Sequence, residues 1–144
     1  MNKVRSNQGF TLLEIIVVVT IIAILAAYIA PKVAGRVDDA RISKAKSDIR
    51  VLESSLELYK LDNFVYPSGD QGLNSLVNRP SGDNARNWRE GGYIKKLTKD
   101  PWGNEYRYVY PGSNGEFDIF SLGADAAAGG ESEAADIGNW NLDS

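Results

Sequence analysis

The sequence predicts an α+β protein: one long N-terminal α-helix, apolar in its first half and amphipathic in its second, packed on a small antiparallel sheet. Three observations predict it. In residues 15–30 only Thr20 and the Tyr28 hydroxyl are polar. Beyond that run Val37, Ala40, Ala45, Ile49, Leu52, Leu56 and Tyr59 recur mainly every three or four residues with charges between them, the spacing of one helix face. Further on, Tyr106, Tyr108 and Tyr110 alternate with Arg107 and Val109, and residues 117–121 alternate again, which is strand periodicity.

The composition narrows the chemistry. A chain of 144 residues fits one small domain plus the N-terminal apolar run, and with no Cys and no His it has no disulfide framework, thiol nucleophile, imidazole base or ordinary zinc site. Carboxylates, hydroxyls and backbone carbonyls remain. The net charge of -3 conceals an asymmetry: all sixteen cations lie in residues 1–107, against twelve acids there, while residues 108–144 hold seven acids and no cation. The cations are interleaved with acids along the helical stretch, so no basic groove for nucleic acid is visible.

The first element is the apolar run. With residues 10–14 it reaches the twenty or so residues that a helix needs to cross a bilayer. The preceding residues 1–9 are short and polar with Lys3 and Arg5, and no small-residue cleavage site follows the run, so it is not an ordinary removed signal peptide. A plain signal anchor remains open. Glu14 is the anomaly: a carboxylate at hydrocarbon depth costs about 2.5–3.5 kcal/mol on insertion scales and marks function. It lies in the first helical turn, where unsatisfied N–H groups and the positive dipole end favour an anion.

Pro31 ends the purely apolar run and removes one helical hydrogen bond, so a kink or a locally melted segment is expected over residues 27–31. The amphipathic helix follows over residues 32–60. Ser68 and Gln71 have capping-box spacing ahead of a short helix through Leu73, Leu76 and Val77, closed by Asn78 before Pro80. Residues 79–92 read as loop, and Pro101, Trp102, Gly103 and Asn104 as a turn between Leu97 and a strand. The strands at 106–110 and 117–121, joined by a Pro-Gly-Ser-Asn-Gly turn, give a hairpin or three-stranded sheet packed on the helix. The tyrosine stripe is packing surface or, alternatively, a platform for sugar or nucleic acid.

The last segment is acidic and glycine-rich. Asp125, Glu131, Glu133 and Asp136 surround Gly129 and Gly130 with no cation nearby in sequence. Such a run is either a solvated loop or a site for a hard cation, since calcium takes six to eight oxygens and carboxylates and turn carbonyls supply them. EF-hand spacing is absent. A small domain without disulfides would gain from such a metal.

Gly9 followed by Phe10-Thr11-Leu12-Leu13-Glu14 and the apolar run resembles the class III signal of type IV pilins and type II secretion pseudopilins. The stretches "LDNFVYPSGDQGLNSLV", "REGGYIKKLTKDPWGNEYRY" and "DIFSLGADAAAGGESEAADIGNW" extend the resemblance over essentially the whole chain, to the major pseudopilins of type II secretion. Lack of Cys fits them better than the type IVa pilins, whose C-terminal loop is usually closed by a disulfide.

The resemblance implies a type IV pilin-like fold in four segments: a prepilin leader over 1–9, a transmembrane and assembly helix over 10–31, an amphipathic stalk over 32–61 and a periplasmic globular domain over 62–144. It implies cleavage between Gly9 and Phe10 by a prepilin peptidase and N-methylation of Phe10. Glu14 would then engage the Phe10 amine of a neighbouring subunit, a pairing of opposite charges that low dielectric strengthens. The subunit would sit in the inner membrane as a single-pass protein with its C-terminal domain in the periplasm, then polymerise with itself into a pseudopilus. Minor pseudopilins, an inner-membrane assembly platform and membrane lipid would be its other partners. A count of flanking cations, with Lys32, Arg36, Arg41, Lys44 and Lys46 after the span, would not give that orientation; the peptidase site does.

The resemblance also implies calcium in the acidic loop, with the Asp125 side chain and the Leu122 carbonyl as ligands. Further oxygens are expected from Gly130, Ser132 and Ala134, with Glu131 and Glu133 as rival carboxylates. Where relatives often have Asp-Gly after Leu-Gly-Ala, this chain has Asp125-Ala126. Affinity in the weak extracellular range of about 10⁻⁴–10⁻³ M is expected. A surface type IV pilin for adhesion, motility or DNA uptake is the alternative to the secretion role. A membrane-anchored glycosidase using pairs from Glu116, Asp118 and Asp125 is the third reading.

Overall fold

The structure is a computed structural model that describes residues 9–82 and 85–143. Of the leader expected over residues 1–9, only Gly9 lies within the described residues.

Helix α1 (Leu12–Asn63) is 52 residues long and contains Pro31. Its backbone is helical without a break through residues 27–31, so the locally melted segment is not found. Proline removes one N–H and leaves the flanking helical bonds to hold the chain. The helix starts at Thr11, whose Oγ accepts the Glu14 N–H at 3.2 Å, an N-cap satisfying one of the orphan donors. It ends at Phe64, which donates its N–H to the Lys60 carbonyl at 2.7 Å in a left-handed conformation, φ 68°.

The chain divides into two compact units, one up to Val37 and one from Asp38 onward. In the first, every residue from Gly9 to Lys32 is exposed, the isoleucines, valines and leucines included. In the second, Ala45, Ile49, Leu52, Leu56 and Tyr59 are each 5% exposed or less. They pack with Tyr66, Leu73, Leu76, Tyr106, Phe117, Ile119, Ile137 and Leu142 as one core. Val37 and Ala40 share the expected helical spacing but are exposed: core packing on α1 begins only at Ile42.

The three-stranded antiparallel sheet is ordered β1 (Arg107–Val109), β2 (Asp118–Ser121), β3 (Ile137–Gly138). Tyr108 faces Ile119 across β1 and β2, and Ser121 faces Ile137 across β2 and β3. Asn139 continues the edge: its Oδ1 accepts the Ile119 N–H at 3.1 Å and its Nδ2 donates to the Phe117 carbonyl at 3.1 Å. A side chain at Gly138 would meet the Trp140 ring, which would have to move. The tyrosine stripe is mainly packing: Tyr106 is buried, Tyr108 half-buried, and Tyr108 donates to the Pro67 carbonyl at 2.8 Å. Tyr110 is 38% exposed at the end of the row.

The Ser68–Gln71 capping box forms reciprocally, Ser68 N–H to Gln71 Oε1 at 3.0 Å and Gln71 N–H to Ser68 Oγ at 3.3 Å. It closes a turn; the helix beyond it is a short 3-10 helix, Leu73–Leu76, whose N-cap is Gly72.

Candidate functional site

Two places carry unusual chemistry. The first is the start of α1. Gly9 and Phe10 precede the helix, Phe10 is 76% exposed, and Glu14 lies three residues past the Thr11 cap. The following exposed surface is apolar, and α1 is long and apolar enough to cross a membrane. One acid in the first turn of a helix sits where unsatisfied N–H groups and the positive dipole end favour an anion.

The second is the acidic loop between β2 and β3. It is two limbs locked together. One limb is Leu122, Gly123 and Ala124; the other is the 3-10 helix Ser132–Ala134 with Glu131 and Ala135 at its ends. Ala124 donates its N–H to the Glu133 carbonyl at 2.8 Å. Gly123, at φ 66°, approaches so closely that a Cβ there would lie 2.7 Å from the Glu133 carbonyl oxygen. Gly130 is equally constrained, since a side chain would run into the Ala134 carbonyl. Gly129 and Asp136 close the second limb, through Asp136 N–H to Gly129 O at 3.2 Å and Gly129 N–H to Asp136 Oδ2 at 2.9 Å.

The sequence-predicted residues therefore fall into sets. Gly123 and Ala124, which follow Leu122, dock on the limb that holds Gly130, Ser132 and Ala134, with Ser132 itself in a left-handed conformation, φ 55°. Asp125 is exposed, and its Oδ1 accepts the Ala127 N–H at 3.1 Å. Glu133 turns toward α1, 3.9 Å from the Arg41 guanidinium. Among the described residues no group of three or more acidic side chains converges as a metal cage. A cation here would be held mainly by backbone carbonyls.

Asp136 was not singled out in the sequence as a ligand, yet its Oδ1 is buried with no hydrogen-bond partner in the protein. A buried carboxylate oxygen left unpaired is costly, about 1–3 kcal/mol or more, unless something else meets it. The signal available in sequence was its membership of the acidic run around Gly129 and Gly130.

The acids of the glycosidase reading are engaged otherwise. Asp118, 4% exposed, accepts the backbone N–H groups of Ser113 and Asn114 and so holds the turn between β1 and β2. Glu116 pairs with Lys60 at 2.9 Å and accepts from the Tyr66 hydroxyl at 3.2 Å. The Lys60 hydrogen bond lowers the Glu116 pKa, and the same bond raises that of Lys60. Burial, with bonding to Glu57 and Glu116, pushes the Tyr66 hydroxyl far up.

Comparison with known proteins bears on both places. Residues 32–140 match the family model described as type II secretion system protein G, and residues 4–30 match the prokaryotic N-terminal methylation motif. The type II secretion system core protein G of Vibrio cholerae is 55% identical over 142 residues, covering 99% of this chain and 97% of that one. The Pseudomonas aeruginosa protein of the same name is 53% identical, covering 95% of this chain and 97% of its own length. The crystal structure of the major pseudopilin from the type 2 secretion system of enterohaemorrhagic Escherichia coli superposes with a TM-score of 0.65 at 44% identity, covering 74% of this chain and 92% of that one.

Proposed function

The chain belongs to the type II secretion system protein G family and is a structural subunit of the secretion pseudopilus; from that premise we propose that it is cut after Gly9, N-methylated on Phe10, and polymerises through the apolar half of α1. The observation that carries this reading is the single acid, Glu14, in the first turn of a helix whose apolar residues from Leu12 to Ala30 are all exposed. Cleavage would create an ammonium on Phe10, and in a low-dielectric assembly that cation and the Glu14 carboxylate of a neighbouring subunit would attract far more strongly than in water. An unpaired charge in the bilayer becomes a pair in the filament, so exit from the inner membrane and assembly are favoured together.

The globular unit would stand in the periplasm, and further partners would be a prepilin peptidase, an inner-membrane assembly platform and minor pseudopilins. The role is mechanical and needs no catalytic group in this chain.

Calcium fits the acidic loop as a structural ion. The donor set is hard oxygen: the Leu122 carbonyl, the Asp125 carboxylate and the limb of Gly130, Ser132 and Ala134. The unpartnered Asp136 oxygen in the same loop supports a cation there. The ion would neutralise acids and join the two limbs; the chain's own part is to hold the carbonyls at the turn.

The test of assembly is Glu14→Leu in cells carrying the remaining secretion apparatus. The variant is expected to fold, insert and be cleaved but to yield at least tenfold fewer cross-linked filaments and little secretion. Normal filament yield would overturn the role given to Glu14.

A further inference from the structure

We infer that Asp100 and Ser121 are positioning residues for the calcium-binding loop, acting on the direction of the Leu122 carbonyl. This rests on the calcium reading above and adds to it the part of the molecule that aims one ligand.

Asp100 opens the Asp-Pro-Trp-Gly-Asn turn and is buried, 5% exposed. Its Oδ1 accepts the N–H groups of Trp102 at 3.1 Å and Asn104 at 2.7 Å, which fold the turn around the carboxylate. Asp100 also donates its own N–H to the Asn104 carbonyl at 2.8 Å. The other oxygen, Oδ2, accepts the Ser121 hydroxyl at 2.5 Å. Ser121 is fully buried at the end of β2.

Because the Ser121 hydroxyl gives its hydrogen to Asp100, its oxygen is left to accept, and it takes the Gly123 N–H at 3.2 Å. That N–H belongs to the same peptide unit as the Leu122 carbonyl. The unit is trans, so the C=O points opposite to the N–H. Anchoring the N–H on Ser121 Oγ therefore aims the carbonyl away from the core. Hydrogen bonds in a buried chain polarise one another: the carboxylate makes Ser121 Oγ a better acceptor, and a cation on the Leu122 oxygen would make the Gly123 N–H a better donor. Asp100 and the ion thus reinforce one another across two side-chain links.

The anchor is specific to this peptide unit. Gly123 needs a left-handed conformation to reach it, and the Glu133 limb packs directly on its other side. Without Ser121 Oγ the unit could rotate, and the ion would have to reorder it on binding.

The experiment titrates calcium chloride into the cleaved full chain in detergent micelles by calorimetry, for wild type, Ser121→Ala, Ser121→Thr and Asp100→Asn. Gly123 amide exchange is followed in the presence of a chelator. One lost hydrogen bond predicts calcium binding about fivefold weaker in Ser121→Ala. Ser121→Thr, which keeps the oxygen, is expected within about twofold of wild type, and Asp100→Asn between the two. Gly123 exchange should be faster in Ser121→Ala without any metal. Equal calcium affinity in wild type and folded Ser121→Ala, or a Ser121→Thr variant as weak as Ser121→Ala, would overturn the positioning role while leaving the calcium reading intact. A wild type that releases no calcium heat overturns the calcium reading and this inference with it, and is recognised because Gly123 exchange still differs between wild type and Ser121→Ala. Should Ser121→Ala not fold, Asp100→Asn against Ser121→Thr decides: equal affinity in those two overturns the role.

Discussion

Replacing Gly123 by alanine tests whether the two limbs of the acidic loop are locked as described. The left-handed conformation at φ 66° costs an alanine about 1 kcal/mol relative to glycine, a strain that Ala126 and Ser132 already carry in this loop at φ 56° and 55°. The added Cβ also lies 2.7 Å from the Glu133 carbonyl oxygen and 2.9 Å from the Ala135 carbonyl oxygen. These are backbone atoms, so the limb itself must shift by about half an ångström, and overpacking of that kind costs about 1–3 kcal/mol. The total is about 2–4 kcal/mol. For a folded unit of this size 1 kcal/mol moves the thermal midpoint by roughly 4 °C, so Gly123→Ala should lose about 8–16 °C. Gly129→Ala is the control: its φ is 97°, with nothing within 4 Å of a Cβ, so it bears the backbone strain alone, about 1–2 kcal/mol. Circular dichroism melting of both variants in detergent, with a chelator present, measures the difference. A Gly123→Ala loss no larger than that of Gly129→Ala would refute the close docking of the limbs.

Calcium at about 10 mM should raise the wild-type midpoint by an amount equivalent to about 1.4–2.7 kcal/mol if the affinity is in the weak extracellular range, and magnesium should not; Asp125→Ala is expected to abolish the rise, and an unchanged response would remove Asp125 from the site. The Lys60–Glu116 pair holds Glu116 below its ordinary 4.5 and Lys60 above its ordinary 10.5. Its contribution is therefore present above the ordinary glutamate value, lost as pH falls through the lowered one, and lost again as pH rises through the raised lysine value. Melting from about pH 6 to 3 should fall less steeply in Glu116→Gln than in wild type, and parallel curves would show that the pair adds nothing. Asp118→Asn should cost about 1–3 kcal/mol by weakening the turn it anchors, read as a lower midpoint; preserved stability would contradict its place in that turn.

What could be read in the sequence was what repeats locally. The buried face of α1 from Ala45 to Tyr59 follows from helical spacing, the Ser68–Gln71 box from its fixed offset, and β1 and β2 from alternation. Val37 and Ala40 show the limit of that signal: spacing says which residues share a face, and only the rest of the fold decides where the cover begins. Strand β3 is two residues long, too short for any period to be seen. Asp118 lies on the face that alternation assigns to solvent, yet the turn of Ser113 and Asn114 folds over it and buries it.

The functional site divides along the same line. At the N-terminus everything needed is contiguous: the Thr11 cap, the acid three residues on and the apolar run lie on one helix, and local chemistry exposes them. At the acidic loop the carboxylates are visible in sequence, but the structure makes them secondary. Glu133 faces Arg41, no three acids converge among the described residues, and what the fold brings together is the backbone of the two limbs. Backbone carbonyls carry no residue signature, so what has to be specified in sequence is their direction. In this loop the backbone path is constrained by glycines at 123 and 130 and by a serine at the end of β2, which donates to Asp100, 21 positions earlier in the chain. An acidic run is visible to composition; the small, buried residues that fix the path of the backbone beneath it are what composition passes over.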